Sequence, residues 1–133
     1  MPAGNEVSSL SAILLDDDYY SYIKSGRKTI GGITVLDEVH LVPFKAKAFL
    51  DLSKRKADGE RVDSSDIKKH KKDVFRLAQL FTPSTSSELP NSVRNDMAEF
   101  CKEVRVEGVP LKQMGIPLTL EEGIELLQRV YGL

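Results

Sequence analysis

Residues 40–81, "HLVPFKAKAFLDLSKRKADGERVDSSDIKKHKKDVFRLAQLF", decide how this chain is read. Leu41, Phe44, Ala48, Phe49 and Leu52 recur at helical spacing and predict a helix with a buried stripe. Asp37 is placed to cap that helix, and His40 falls in its first turn. Pro43 has no N–H to donate, so it must sit in the first regular turn or kink the helix. The polar segment 56–66 carries turn chemistry at Asp58-Gly59. Ser64, Ser65 or Asp66 is placed to cap a second helix, with Ile67, Val74, Leu77 and Phe81 inward. Its other faces carry Lys68, Lys69, Lys71 and Lys72, which read as solvated or as a basic surface.

Charge is distributed unevenly around this pair of helices. The 133 residues carry a net charge of −1, yet Lys45 to Arg76 holds 11 Lys/Arg against 6 Asp/Glu. The remainder holds 8 against 14, so the chain is polarised rather than basic. Part of the basic charge has a local cause, because Lys54, Arg55 and Lys56 end a helix where its dipole favours cations. Lys45 lies beside the apolar stripe, where its stem can run along the surface and deliver an ammonium to a cleft edge. "KKHKK", 68–72, lacks the interleaved aromatic residues that stack bases.

Outward from this stretch the signals are shorter. The apolar run at 9–14 predicts a strand, and "DDDYYSYIKSG" a short helix capped by Asp16 or Asp17 and closed by Gly26. Gly31-Gly32 marks a turn before a second strand, Ile33 to Leu36. Val93, Met97, Phe100 and Val104 mark a further amphipathic helix. Thr119-x-x-Glu122 is a capping box that opens the last helix, with Ile124, Leu127 and Val130 inward. The expected fold is α+β and predominantly helical, with four or five helices and a small two-strand element. Residues 1–8 are expected to be a disordered tail, 9–36 a strand–helix–strand remnant of a sheet, and 37–133 a helical domain.

Several chemistries find no support. Cys101 is the single cysteine, so no intramolecular disulfide or cysteine-based zinc site can form. His40 and His70 have no neighbouring ligand to complete a metal site. Gly-x-Gly-x-x-Gly, a Walker loop and a Ser–His–acid arrangement are all missing. Asp16-x-Asp18 follows an apolar run, as in strand-end pairs that hold magnesium, but an acidic helix cap is the preferred reading, since it needs only the first-turn position these residues occupy. No apolar run approaches the roughly 20 residues that span a bilayer, and 1–10 lacks the marks of a secretory signal. No membrane association and a cytoplasmic location are expected.

The succession 33–56, a polar loop, then 67–81 resembles part of the AbiEii-type nucleotidyltransferases, toxin components of bacterial abortive-infection and toxin–antitoxin systems. In that family a strand leads into a helix patterned hydrophobic-x-x-x-Lys-x-x-Ala, matched here by Lys45 and Ala48. A second helix follows near a basic-Asp-x-x-Asp-Leu pattern, matched by Lys72, Asp73 and Leu77. The family's second Asp falls on Arg76, so a role needing that carboxylate has no counterpart. The likeness spans roughly 33–82. It implies a metal-dependent transfer of a nucleoside monophosphate, with magnesium and a nucleoside triphosphate as cofactor and substrate of an intact parent protein. It also implies Lys45 as a phosphate-facing group and Asp73 as the group that orients it, with Lys47 and Lys72 as basic surface.

The family's Gly-Ser segment and its paired catalytic carboxylates have no match here, so the chain is expected to be inactive alone and to contain no catalytic residue or cofactor. Its implied partner is a missing N-terminal catalytic half or a cognate antitoxin. Two further readings stay open: a helical protein-interaction module, and a nucleic-acid-binding domain using the basic 45–76 helix pair.

Overall fold

The computed structural model describes residue 13 and residues 15–133. The strand expected at 9–14 and the tail at 1–8 fall outside the described residues, apart from Ile13, which is helical and buried. Helix α1, Asp17–Ser25, is capped by Asp16, whose carboxylate accepts from the N–H groups of Asp18 at 2.9 Å and Tyr19 at 3.3 Å. Strands β1, Arg27–Ile30, and β2, Ile33–Leu36, form an antiparallel hairpin pairing Arg27 with Leu36 and Ile30 with Ile33. Gly31 and Gly32 turn it with φ of 58° and 81°, the left-handed pair that a two-residue hairpin requires.

The long helix α2 spans Glu38–Ala57, with Asp37 accepting from the His40 N–H at 3.1 Å. Helix α3, Ser64–Ala78, packs extensively along it, and α4, Asn91–Glu107, packs on α2 from another side. A 3₁₀ turn at Lys112–Met114 leads to α5, Leu120–Tyr131, with both arms of the Thr119/Glu122 capping box formed. Asp63, rather than any of the three residues after it, caps α3 by accepting from the Ser65 N–H at 2.8 Å.

The α+β class is therefore corrected to a helical one. Five α-helices make up the architecture of the described residues, and no sheet layer packs against them. β2 pairs with β1 across the glycine turn, so among the described residues the hairpin is closed locally. Two strands of four residues are too few to form a layer, and an isolated hairpin is marginal without further packing. The core lies instead between helices. Phe49, Phe75 and Phe100 meet there, with ring centroids 5.4 Å apart for Phe49–Phe100 and 5.8 Å for Phe75–Phe100. Each such fully buried side chain stabilises the fold by roughly 1.5–3 kcal/mol.

The helix faces match the expectation at Ala48, Phe49, Leu52 and Val74, which are buried, and differ from it elsewhere. In α2, Val42, Pro43 and Ala46 are buried, while Leu41 and Phe44 are half-covered. In α3, His70, Lys71, Val74, Phe75 and Ala78 are buried and Ile67 and Leu77 lie at the margin, while Phe81, partly buried, falls beyond the end of the helix. Both helices thus keep a second, partly covered apolar face. That face borders the candidate site.

Candidate functional site

Lys45 on α2 and Asp73 on α3 meet across the helix pair, with Nζ 3.4 Å from Oδ2 and side chains 23% and 24% exposed. The contact is an ion pair rather than a short charge-assisted hydrogen bond, which would bring nitrogen and oxygen to about 2.8 Å. The packing of α2 on α3 creates it. Leu41 and Leu77, one helical turn from each partner, are half-covered, so the ammonium stands at the edge of an apolar strip. Lys72 is half-exposed and Arg76 exposed on the same helix as Asp73, and neither has an ion-pair partner among the described residues. The pair therefore lies in a locally positive setting. Arg76, standing where the resembled pattern has a second carboxylate, increases that charge instead of balancing it.

Lys47 goes elsewhere. Its position along α2 turns it toward α4, where Nζ lies 3.2 Å from Asp96 Oδ2 and 5.8 Å from the centroid of the Tyr19 ring. Tyr19 donates its hydroxyl to the same oxygen at 2.7 Å. Burial first, and then that hydrogen bond to Asp96, push the Tyr19 phenol well above its ordinary range. Lys47 lines a groove of about 380 Å³ with Lys54, facing Asp51, Asp96, Glu99 and Glu103. Four carboxylates against two ammonium groups make that groove acidic. The basic candidates thus separate: Lys72 lies on α3 next to Asp73 in the chain, and Lys47 partly offsets an acidic groove on another side.

Lys71 corrects the expectation that it is solvated. Its side chain is 10% exposed, its Nζ lies 2.6 Å from Glu107 Oε2, and it sits 5.9 Å from the Phe49 ring centroid. The aliphatic stem fills core space and the ammonium surfaces beside α4. His70 is fully buried among the same helices. His40 stacks against Tyr22 with centroids 4.6 Å apart, and its Nδ1 lies 2.6 Å from Asp37 Oδ1. Cys101 is buried, and burial pushes its thiol up to about 11, with nearby Arg105 acting in the opposite direction.

The acidic pair near the start has structural partners. Asp16 caps α1, and Asp18 accepts from the Ser92 hydroxyl at 2.5 Å, which fastens α1 to the start of α4. Among the described residues no group of three or more His, Cys, Asp or Glu side chains is arranged to hold a metal ion. These side chains do not fit the magnesium set of a nucleotidyltransferase, and no chemical step is assigned to a metal here.

Sequence reasoning overlooked two tyrosines, Tyr22 and Tyr131. Pro43 stands inside α2, so the Val39 carbonyl lacks its usual donor four residues on. Tyr22 and Tyr131 donate to that oxygen at 3.1 and 2.6 Å, from α1 and α5. Tyr22 also meets Ser87 Oγ at 2.7 Å. The proline was the available signal. An internal proline implies an orphaned carbonyl, but nothing in the spacing says which distant hydroxyl fills it.

No helix among the described residues is long and apolar enough to cross a membrane. Compared with family models, curated proteins and solved structures, the chain finds no match in any of the three.

Proposed function

We propose that this helical domain supplies a phosphate-facing wall to a nucleotidyltransferase of AbiEii type, with the metal-holding carboxylates contributed from outside the described helices. The observation that carries the reading is the meeting of Lys45 and Asp73 at 3.4 Å. These are two positions singled out by the family pattern, and the helix pairing makes them neighbours. Lys45 would turn its ammonium from Asp73 to a polyphosphate oxygen. Asp73 would hold the side chain at the cleft edge until then, so that less rotamer freedom is lost on binding. Lys72 and Arg76 add positive charge at the same wall, which favours approach of a polyanion.

The experiment is a heteronuclear NMR titration of the full chain with ATP at low salt. Saturable shifts centred on residues 41–48 and 69–77 are expected, and Lys45→Met should abolish them. If ATP leaves those resonances unmoved, the reading fails. Shifts produced equally by single-stranded RNA, weakening steeply with salt, would replace it with a nucleic-acid-binding role.

A further inference from the structure

We infer that a second pocket, between the 82–89 loop and the end of α5, binds a small phosphoryl oxyanion. The pocket has a volume of about 400 Å³ and is lined by Ser86, Ser87, Glu88, Arg94, Arg129 and Tyr131, among others. It is independent of the Lys45 wall and does not rest on the nucleotidyltransferase reading.

Three features point to an anion. Arg129 is held by the loop backbone, donating through Nη1 to the carbonyls of Pro83 at 3.0 Å and Thr85 at 3.4 Å and through Nη2 to that of Thr82 at 3.3 Å. Carbonyls orient the guanidinium without neutralising it, so a fixed cation remains in the wall. Arg94 contributes a second guanidinium and has no carboxylate partner among the described residues. It also stands in the first turn of α4, whose cap position is Pro90, with no side-chain cap hydrogen bond and no acidic residue in that turn. A cation there opposes the helix dipole, which the Asp18 carboxylate on Ser92 offsets only in part, and an anion held by the Arg94 guanidinium would relieve it further.

The pocket is rigidly built. The Ser87 N–H donates to the Val130 carbonyl at 2.9 Å, tying the loop to α5, and Tyr131 behind it is almost fully buried. Ser86 is exposed and offers a hydroxyl to the pocket. The Arg94 fork, the two N–H groups that Arg129 does not give to the loop, and the Ser86 hydroxyl suit the three oxygens of a phosphoryl group better than the two of a carboxylate. Glu88 lines the same pocket and forms no ion pair with either arginine among the described residues. It opposes the anion and supplies a test of sign.

Inorganic phosphate is titrated into the full chain at constant ionic strength, with chloride as the control, and followed by heteronuclear NMR. Saturable shifts at the amides of Ser86, Ser87 and Arg94 are expected. Arg94→Gln should weaken binding about tenfold, the loss expected for one charged hydrogen-bond partner. That substitution removes a cation from the positive end of a helix, so it does not threaten folding. Glu88→Gln should tighten binding severalfold. Glycerol 3-phosphate distinguishes the sources: tighter binding than phosphate marks a phosphomonoester site, and equal or weaker binding a site for free phosphate. Shifts reproduced by chloride, or unchanged in Arg94→Gln, overturn the inference. Because Lys45→Met leaves this pocket intact, failure at either site is distinguishable from failure at the other.

Discussion

The Tyr131 hydroxyl donates to the Val39 carbonyl at 2.6 Å. That oxygen is available because Pro43, one turn on, has no N–H to offer it. Tyr22 reaches it as well, at 3.1 Å. Helices near the two ends of the described chain are thereby fastened to one point of α2. Tyr131→Phe is expected to cost about 1–2 kcal/mol in denaturant unfolding, as a buried hydrogen bond is lost and a carbonyl is left less satisfied. Pro43→Ala restores a local N–H, so it should cost less in the Tyr131→Phe background than alone. Strict additivity of the two would contradict the coupling.

Three buried phenols make stability sensitive to alkali. Desolvation by burial raises the Tyr22 hydroxyl to about 12, opposed by its hydrogen bond to Ser87, and burial also raises Tyr19 and Tyr131. The folded state keeps protons that the unfolded chain releases above the ordinary phenol value of 10.0. Their stabilising contribution is therefore fully present below pH 10 and declines above it, that of Tyr22 being lost as pH rises through about 12. Thermal melts across that window should fall steadily, and tyrosinate absorbance should rise together with loss of helical circular dichroism. Ionisation of all four tyrosines before any unfolding would contradict this burial.

Gly26 is required for space rather than for an unusual dihedral angle. Its φ is −92°, which any residue adopts, but a Cβ there would fall 2.2 Å from His40 Cγ. His40 cannot easily retreat, since it stacks on Tyr22 and bonds Asp37. Gly26→Ala is expected to destabilise the protein by about 1–3 kcal/mol. In the His40→Ala background the same change should cost far less, as read by urea unfolding.

Lys71 works largely through its stem. Lys71→Met keeps the aliphatic volume against Phe49 and removes the ammonium, leaving Glu107, which is 49% exposed, to be solvated. Lys71→Ala leaves a void and should cost at least about 1 kcal/mol more than Lys71→Met. Equal costs would mean that the ion pair, not the packing, carries the stability.

The sequence made some of this legible. Asp16 and Asp37 as caps, the Thr119/Glu122 box and the α4 stripe are local chemistry, and local chemistry survives folding unchanged. The faces of α2 and α3 were harder, because α2 is apolar around most of its circumference between Leu41 and Leu52. Periodicity finds such a helix but does not choose its inward side. Lys71 was misread because a long stem hides apolar packing beneath a charged name. Strand β1 has no clear signal in the sequence, because Arg27 and Lys28 give it no apolar alternation. Of the candidate site, the resemblance singles out Lys45 and Asp73, and only the packing of α2 on α3 shows that they meet. The diversion of Lys47 to Asp96 depended on how α4 packs, which no spacing encodes.

The central claim concerns the sign of the Asp73 effect as much as the presence of Lys45. Titration calorimetry of ATP at low salt against the intact chain, Lys45→Met and Asp73→Asn tests both in one measurement. Lys45→Met should lose at least about tenfold in affinity, the worth of one charged contact to phosphate. If Asp73 positions the ammonium, Asp73→Asn should weaken binding severalfold although it removes a negative charge. Unchanged affinity in Lys45→Met, or tighter binding in Asp73→Asn, would show that the pair is an ordinary half-buried ion bridge and would contradict the account.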